Sequence, residues 1–358
     1  MNQKNKDILK ELLSKHKDLG ISDQIDYNKF YLYSIITHST AIEGSTVTEV
    51  EAQLLFDEGI TSSKRTMMEQ MMNLDLKVAY EYGMEWIKQH DPITTDWLIT
   101  LASKVMARTG SEYHSLGGDF SAAKGELRRL NITAGLGGKS YMSYLKVPTM
   151  LATFCEELNK RRREIDVTDI AAVYDLSFWA HFELVTIHPW ADGNGRTCRL
   201  LMNLLQMEYG VLPTKVLKED KAEYIQALID TRERDDIEVF LDCMADLHAK
   251  HLKHDIDQYL QSTAEEMDST SSPELVDKVG WVKEMADKWS IKPSLADKLV
   301  DILIYVDDKD PITTEMIVNN FGFTATTAKR YLRQLTEYGY LEAHGGNKNR
   351  TYERTRNK

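Results

Sequence analysis

The fold is decided by one stretch, His188-Pro189-Trp190-Ala191-Asp192-Gly193-Asn194-Gly195-Arg196-Thr197-Cys198-Arg199. An apolar, helix-like run, Phe178 to Ile187, leads into it, and a second run, Leu200 to Leu205, leads out of it. Apolar residues at helical spacing indicate helices that bury one face in a core. The sequence therefore predicts a polar loop held between two core helices.

The loop has the residue types of a phosphate site. Gly193 and Gly195 let the backbone take positive φ angles and approach a ligand closely. If the second helix begins near Asn194, its first N–H groups and its dipole point at the same anion. Arg196 and Arg199 share one helical face at i,i+3 spacing and can each give two hydrogen bonds to phosphate oxygens. The pattern predicts binding of a nucleotide phosphate.

Two further residues of the loop suggest chemistry. Asp192 would repel a bare phosphate, so its presence indicates a hard cation such as Mg²⁺, shared between one carboxylate and the phosphates. His188 takes up a proton near neutral pH, which suits a general base acting on a hydroxyl nucleophile. From the residues alone, the loop is a nucleotide-phosphate site with a base beside it.

In this order and spacing the loop resembles the signature of the Fic family, H-x-F-x-[D/E]-G-N-G-R-x-x-R. One position departs from it, because Trp190 stands where the family usually has Phe, and we expect it to be a buried anchor of the loop. The resemblance implies transfer of AMP from ATP to a hydroxyl side chain of a target protein. His188 would deprotonate the hydroxyl, Asp192 would hold Mg²⁺ on the α- and β-phosphates, and pyrophosphate would leave.

The same resemblance assigns the other loop residues. Gly193, Asn194 and Gly195 would form an anion hole, Arg196 would neutralise phosphate charge, and Arg199 would hold the γ-phosphate. Catalysis of this kind is mostly positioning and electrostatic stabilisation.

A second motif lies near the N-terminus. Ser39-x-x-x-Glu43-Gly44 resembles the family's inhibitory motif [S/T]-x-x-x-E-[G/N], in which the glutamate reaches the second arginine of the signature, here Arg199. A carboxylate on that guanidinium would compete with the γ-phosphate and keep ATP out of its productive pose. We therefore expect autoinhibition by Glu43. Without the resemblance, Glu43-Gly44 is a charged helix end with a glycine cap.

Residues 117–147 interrupt the helical pattern with clustered glycines, which predicts an irregular loop with a short β-hairpin. The resemblance gives the segment before the next helix the role of a flap that pairs with the target's backbone. The alternative is an ordinary surface loop. The candidate flap residues are Tyr141, Met142, Ser143, Tyr144 and Leu145.

The C-terminal part differs in composition. Residues 262–274 are rich in Ser, Thr and acidic residues and are predicted to be a linker. The pattern of helix, helix, turn, helix and hairpin over 275–358 resembles the winged helix-turn-helix of bacterial regulators. From Thr324 to Lys358 eight Lys/Arg and three Glu give a net charge of +5 in a chain of −12. The alternative to DNA binding is protein contact or dimerisation. Candidate DNA contacts are Lys329, Arg330, Arg333, Lys348 and Arg350.

The predicted fold is therefore mainly α: a Fic-type helical bundle with a β-hairpin flap and a C-terminal winged helix-turn-helix domain. In the long helix predicted over 236–260, His248, His251 and His254 are interpreted as a solvated face rather than a metal site. Tyr224 is either a nucleotide contact or a core tyrosine. The predicted parts are a solvent-facing helical extension (1–27), N-terminal helices with the inhibitory motif (28–110), the Fic catalytic core (111–261), the linker (262–274) and the winged-helix domain (275–358).

Composition bounds the function only broadly. The 358 residues, 42% of them hydrophobic, have room for two or three domains, and the net charge of −12 argues against a chain wholly devoted to nucleic acid. Three cysteines, Cys155, Cys198 and Cys243, are an odd number in apolar helical sequence and suit buried thiols in a reducing compartment. No secretory signal and no run of membrane-spanning length is found. We expect a cytoplasmic protein.

The expected substrate and cofactor are ATP and Mg²⁺, and the expected partners are an unknown target protein, DNA through the C-terminal domain and, in a homodimer, a second copy of the chain. No membrane is expected as a partner. Two alternatives stay open within the enzyme class: transfer of UMP, phosphocholine or phosphate, and removal of AMP with Glu43 aligning a water. A third alternative is a DNA-binding transcriptional regulator whose Fic domain senses nucleotide.

Overall fold

The computed structural model describes residues 1–133, 140–270, 273–309, 311–346 and 350–355. The chain divides into two compact units, Met1–Tyr259 and Leu260–Lys358. Each unit has a hydrophobic core of its own.

The first unit is helical, with one short β-ladder. Its strands, β1 (Glu112–Tyr113) and β2 (Phe120–Ser121), pair antiparallel. Its helices are α1 (Gln3–Asp18), α2 (Tyr27–Ile42), α3 (Glu49–Glu58), α4 (Met67–Ile87), α5 (Thr95–Val105), α6 (Val147–Glu164), α7 (Ile170–Ile187), α8 (Asn194–Glu208), α9 (Lys221–Arg234) and α10 (Glu238–Thr270), which contains the boundary with the second unit.

Helices α7 and α8 form the centre of the first unit and hold the signature loop between them, as predicted. Their apolar residues, among them Phe178, Leu184, Leu200 and Leu204, are almost completely buried. By length and composition α7 could cross a membrane, a feature the sequence analysis did not predict, and 67% of it is buried inside the unit. Its apolar composition is thus accounted for by its place in the core.

Local capping residues set where two helices begin. At the start of α3 the Thr48 side chain accepts from the Glu51 backbone, while the Glu51 carboxylate accepts from the backbone N–H of Thr48, which is a capping box. Helix α4 begins at Met67, where Thr66 and Glu69 form a second capping box. The better cap decides where the helix begins.

Two solvent-facing assignments were only partly right: most residues of α1 are exposed, as is His254, but other residues in these two sets are buried. Helix α1 buries Asn5, Leu9 and His16, because an apolar stripe runs along one of its faces. His248 and His251 are 1% and 5% exposed. The Nε2 of His248 lies 2.9 Å from the hydroxyl of Tyr174, and the Nε2 of His251 lies 2.6 Å from Oδ2 of Asp220. These partners are distant in sequence, so spacing along α10 could not reveal them.

Residues 262–270 of the predicted linker continue α10, which ends at Thr270. Ala264, Glu265, Glu266 and Met267 are good helix formers, and this propensity outweighs the shortage of apolar residues. Residues 271–272 lie outside the described part of the chain. Cys155 and Cys198 are buried free thiols, and Cys243 is half-buried.

The second unit combines helices with a small antiparallel sheet. Its sheet has the order β3, β5, β4. Between α13 and α14 the chain turns at Gly322, with φ of 66°, and the Thr324 side chain caps α14. The elements are α11 (Pro273–Trp289), α12 (Pro293–Lys309), β3 (Ile312–Thr313), α13 (Thr314–Phe321), α14 (Ala325–Glu337), β4 (Leu341–His344) and β5 (Thr351–Arg354).

Candidate active site

The signature loop is closed by its own residues. Helix α7 ends at Ile187 and is capped by His188, whose φ of 51° and ψ of 63° are left-handed, and α8 begins after Gly193, whose φ is 83°. Between them the Asn194 amide donates to the Trp190 carbonyl at 2.8 Å and accepts from its N–H at 3.1 Å. The Asn194 side chain therefore fixes the loop.

Trp190 is the buried anchor that the sequence predicted. It is 1% exposed, and its Nε1 donates to the carbonyl of Gly125 at 2.9 Å. A phenylalanine could not form this bond, because only the indole has a donor at that position. The departure from the family pattern thus joins the loop to the segment that leads to the flap.

Arg196 lies buried at the start of α8 with unused donors. The residue is 2% exposed, and its Nη2 contacts the Met106 sulfur at 3.0 Å and lies 3.6 Å from Oδ1 of Asp192. Its Nε and Nη1 are buried and have no hydrogen-bond partner among the described residues. Unsatisfied buried donors are costly, and Arg196 itself belongs to the first turn of α8, whose N–H groups have no partner inside the helix. An anion bound at this end of α8 would accept hydrogen bonds from the Arg196 guanidinium and from these N–H groups.

Asp192 has the exposure expected of a magnesium ligand that also contacts phosphates. Its side chain is 57% exposed, and its Oδ1 accepts from the Gly193 N–H at 2.6 Å. The described residues contain no group of three or more His, Cys, Asp or Glu that could hold a metal by themselves. Mg²⁺ commonly binds through one carboxylate, with waters and substrate phosphates as the other ligands, and Asp192 fits that arrangement.

His188 is held as a neutral base. The pKa of His188 is lowered to about 4, mainly by burial, and the positive charges of Arg128 and Arg232 contribute to the decrease. Its Nδ1 lies 3.3 Å from the Val185 carbonyl. A carbonyl can only accept, so this contact places the proton on Nδ1 and leaves the Nε2 lone pair available. The Tyr141 ring stacks on the imidazole at 3.8 Å between ring centroids.

Arg199 is occupied by the end of α2. Its Nη2 donates to Oε1 of Glu43 at 2.6 Å and to the Ser39 carbonyl at 2.9 Å, and its Nε donates to the Ser39 hydroxyl at 2.9 Å. Burial would raise the pKa of Glu43, but the charge and hydrogen bond of Arg199 outweigh it and hold that pKa below its usual value. The two residues of the inhibitory motif therefore fill the guanidinium fork.

Glycines make room for this contact. A Cβ on Gly195 would lie 2.6 Å from Oε1 of Glu43 and 3.0 Å from Nη1 of Arg199, so a larger residue would push the two apart. Gly44 has a φ of 105°, a conformation that other residues rarely adopt. The chain can thus turn directly after Glu43.

The end of α2 is fastened to α4. The Thr40 hydroxyl donates to Oδ1 of Asn73 at 3.0 Å, and Nδ2 of Asn73 donates to the Ser45 hydroxyl at 3.2 Å. Asn73 is fully buried. The backbone N–H of Thr46 donates to Oε1 of Glu69 at 2.7 Å. These bonds fix the backbone on both sides of Glu43.

The flap differs from the predicted hairpin. Residues 141–147 form no strand: 144–146 are a short 3-10 turn, and α6 begins at Val147. The pairing lies just before, where Thr133 bridges Ser140 and the Tyr141 N–H donates to the Ile132 carbonyl at 3.0 Å. Residues 134–139 lie outside the described part of the chain. The glycine pattern located the segment but placed its pairing a few residues too late. Of the other predicted flap residues, Ser143 precedes the 3-10 turn as its N-cap, Tyr144 donates its N–H to the Asn131 side chain, and Leu145 is exposed.

Two residues near the site had little or no sequence signal. Arg128 is 1% exposed and donates to the carbonyls of His188 and Met142. Arg232 lies over the Tyr141 ring, 5.3 Å from its centroid. Tyr224 is core-facing, with its hydroxyl 2.9 Å from Nε2 of His181.

In the second unit, a groove of about 480 Å³ is lined by residues of α14 and the β4–β5 pair, including Lys329, Arg333 and Arg350. Arg333 also donates to Glu337 at 2.7 Å. Arg330 lies over the ring of Tyr331. Lys348, the remaining candidate DNA contact, lies outside the described residues.

Comparisons with known proteins agree with this geometry. Residues 92–206 match the family model described as Fic/DOC family. This part of the chain is therefore similar to Fic domains, and the matched range contains the signature loop.

Among curated proteins, the protein adenylyltransferase fic-1 of Caenorhabditis elegans is 28% identical over 202 residues, which are 56% of this chain and 36% of that protein. The protein adenylyltransferase Fic of Drosophila grimshawi is 29% identical over 231 residues, 64% of this chain and 43% of that protein. The chain thus spans less than half the length of these relatives. A Fic domain containing signaling protein from Bacteroides thetaiotaomicron superposes with a TM-score of 0.59 at 21% identity, covering 71% of this chain and 97% of that one. The last comparison concerns the fold alone.

Proposed function

We propose that the chain is a protein adenylyltransferase, which transfers AMP from ATP to a hydroxyl side chain of a target protein and is inhibited by its own Glu43. The names of the curated relatives support the class of reaction. The site supports it through one observation above all: at the start of α8, Arg196 is buried with two nitrogens that have no partner among the described residues, and His188 of the same loop is neutral.

The reaction follows from this arrangement. The hydroxyl oxygen of the target attacks the α-phosphorus, the bond from that phosphorus to the bridging oxygen of the β-phosphate breaks, and pyrophosphate leaves. His188 accepts the hydroxyl proton at Nε2. The N–H groups of α8 and the Arg196 guanidinium stabilise the negative charge on the phosphates. Mg²⁺ held at Asp192 would supply further neutralising charge.

Autoinhibition follows from the occupied fork of Arg199. A γ-phosphate bound there would have to displace the Glu43 carboxylate, and two negative groups at one guanidinium repel each other. Removing the carboxylate is therefore expected to free Arg199 for the nucleotide.

The test is incubation of the unmodified chain, Glu43→Gly and His188→Ala with α-labelled ATP and Mg²⁺, followed by counting label on protein. We expect label to rise by at least 10-fold with Glu43→Gly, the change expected when a competing contact of about 1.4 kcal/mol is lost. It should vanish when His188→Ala is added. A matched control is Glu58→Gly, because Glu58 is exposed and also ends a helix before a glycine of positive φ, Gly59.

Unchanged labelling in a folded Glu43→Gly protein would refute the inhibitory role. If donors of UMP, phosphocholine or phosphate label the protein and ATP does not, the transferred group is one of these and not AMP. Loss of AMP from a previously modified target would show that the protein removes AMP. Neither the proposal nor these alternatives depends on the second unit.

We also propose that the second unit is a winged helix-turn-helix that binds duplex DNA. The supporting observation is its order of elements, with α14 and the β4–β5 hairpin bordering a groove that contains Lys329, Arg333 and Arg350. The test is binding of a labelled duplex at low salt by the full chain. Lys329→Gln should weaken binding, whereas Lys298→Gln, on the exposed face of α12, should not. No binding at low salt would favour a protein-contact role.

A further inference from the structure

Arg128 lies between the catalytic loop and the flap and is a buried cation. It is 1% exposed, and the described part of the chain shows no ion pair between it and a carboxylate. Its charge is instead compensated by carbonyl dipoles. A buried charge held only in this way is costly, so its presence calls for a role that a neutral residue could not fill.

The guanidinium reaches three carbonyls in three directions. Its Nε donates to His188 at 2.7 Å, its Nη1 to Leu130 at 2.9 Å, and its Nη2 to Met142 at 2.6 Å. The backbone N–H of Arg128 also donates to the Pro189 carbonyl at 2.9 Å. The planar fork of arginine suits such a set of acceptors, and a lysine could not reach all three in fixed directions.

Each bond fixes a different part of the site. His188 has a left-handed backbone, which is uncommon for a residue with a side chain and needs support from its surroundings. The bond to its carbonyl provides that support. Met142 belongs to the flap, next to Tyr141, whose ring covers the imidazole of His188. One side chain therefore sets the flap relative to the base.

We propose that Arg128 is a positioning residue that holds the flap at a fixed distance from His188, so that the hydroxyl of a protein acceptor meets the base. This proposal rests on the proposed function. The residue touches neither the nucleotide loop beyond Pro189 nor the reacting atoms, so it should affect the choice of acceptor and leave nucleotide binding alone. A misplacement of about 1 Å in such a geometry can lower the rate by about 100-fold.

The experiment compares two acceptors in the same active site. Water can attack the α-phosphorus without the flap and yields free AMP, whereas a protein hydroxyl should require the flap. Arg128→Gln in the Glu43→Gly background should lower AMP transfer to protein by about 100-fold. Its free-AMP formation should fall far less, so that the ratio of protein-bound to free AMP decreases at least 10-fold. The affinity for ATP should stay within 3-fold.

Two further variants separate positioning from general damage. Arg128→Lys keeps the charge but only part of the fork, so its ratio should lie between those of the parent and Arg128→Gln. Arg129→Gln changes the adjacent, exposed arginine and should leave the ratio unchanged. A loss of folded protein would lower both products equally and would not change the ratio.

Hydrogen exchange provides a readout that does not need activity. The amides of Tyr141 and Tyr144 donate to Ile132 and Asn131, and both should exchange at least 10-fold faster in Arg128→Gln. An unchanged product ratio together with unchanged flap exchange would overturn the proposal. If Glu43→Gly with Arg128 intact transfers no AMP to protein, the proposed function fails instead, and the exchange measurement still decides whether Arg128 holds the flap.

Discussion

Replacing Glu43 by glutamine removes the charge that holds Arg199 and leaves the side chain nearly the same size. The change should have two opposite effects, because the same contact stabilises the fold and competes with the nucleotide. The variant should unfold at a lower temperature than the parent without ligand. It should also bind ATP more tightly in the presence of Mg²⁺.

The structure bounds the magnitude of both effects. The Arg199 side chain is 3% exposed and that of Glu43 is 35% exposed, with 2.6 Å between Nη2 and Oε1. Breaking a fully buried pair costs about 3–5 kcal/mol, and an exposed pair contributes about 0–1 kcal/mol. Because Glu43 is partly hydrated and Arg199 keeps both acceptors of Ser39, we take an intermediate value of about 2 kcal/mol.

The same free energy appears in both measurements. For a unit of this size, a loss of about 2 kcal/mol lowers the melting temperature by about 4–8 °C. If the γ-phosphate must displace Glu43, its removal strengthens ATP binding by about 30-fold, since 1.4 kcal/mol is a factor of 10. Scanning calorimetry and titration calorimetry measure the two quantities, with Glu58→Gln as the control. Equal ATP affinity in Glu43→Gln and the parent would refute the competition for Arg199.

Three further predictions concern other parts of the chain. Since the pKa of His188 is lowered to about 4 from 6.5, the imidazole stays neutral well below neutral pH. The transfer rate of the Glu43→Gly variant should therefore be constant from about pH 8 to pH 5 and fall near pH 4. A decrease in rate near pH 6.5 would contradict the lowered pKa. Trp190→Phe should lower the free energy of unfolding by about 1–3 kcal/mol, because the buried carbonyl of Gly125 loses its donor. Denaturant titration measures this change. An unchanged midpoint would show that the bond from Trp190 to Gly125 does not stabilise the fold. If Lys329 contacts a DNA phosphate, Lys329→Gln should reduce the slope of the log binding constant against the log salt concentration by about 1. An unchanged slope in a duplex titration would show that Lys329 does not contact the DNA.

The signature loop could be predicted because its conformation depends on neighbours in sequence. Glycine accepts the positive φ at position 193, and the i,i+3 spacing of Arg196 and Arg199 follows from the helix that begins beside it. The capping box at Thr48 is local in the same sense. The contact between Glu43 and Arg199 joins residues 156 apart in sequence, and only the family resemblance suggested it.

The misplaced features depend on partners that local spacing does not contain. The lysines beside His248 in the sequence suggested a solvated residue. In the structure, the Nε2 of His248 forms a hydrogen bond with the hydroxyl of Tyr174 across the core. Arg128 is a single charged residue in an irregular segment, with no periodicity to mark it as buried. Its acceptors are backbone carbonyls, which leave no trace in a sequence. The sequence therefore could not predict that Arg128 connects the flap to the signature loop.

The contacts around Glu43 also bear on how the proposed inhibition would be relieved at least cost. Moving the end of α2 away from α8 would break the buried bonds of Asn73 to Thr40 and Ser45, and each buried group left without a partner costs about 1–3 kcal/mol. Turning the Glu43 side chain toward solvent breaks only one partly hydrated ion pair and leaves the backbone in place. Because that side chain is already 35% exposed, rotation is the less costly route. Because α2 is anchored in this way, we expect the Glu43 carboxylate, rather than the helix, to move when Arg199 is freed.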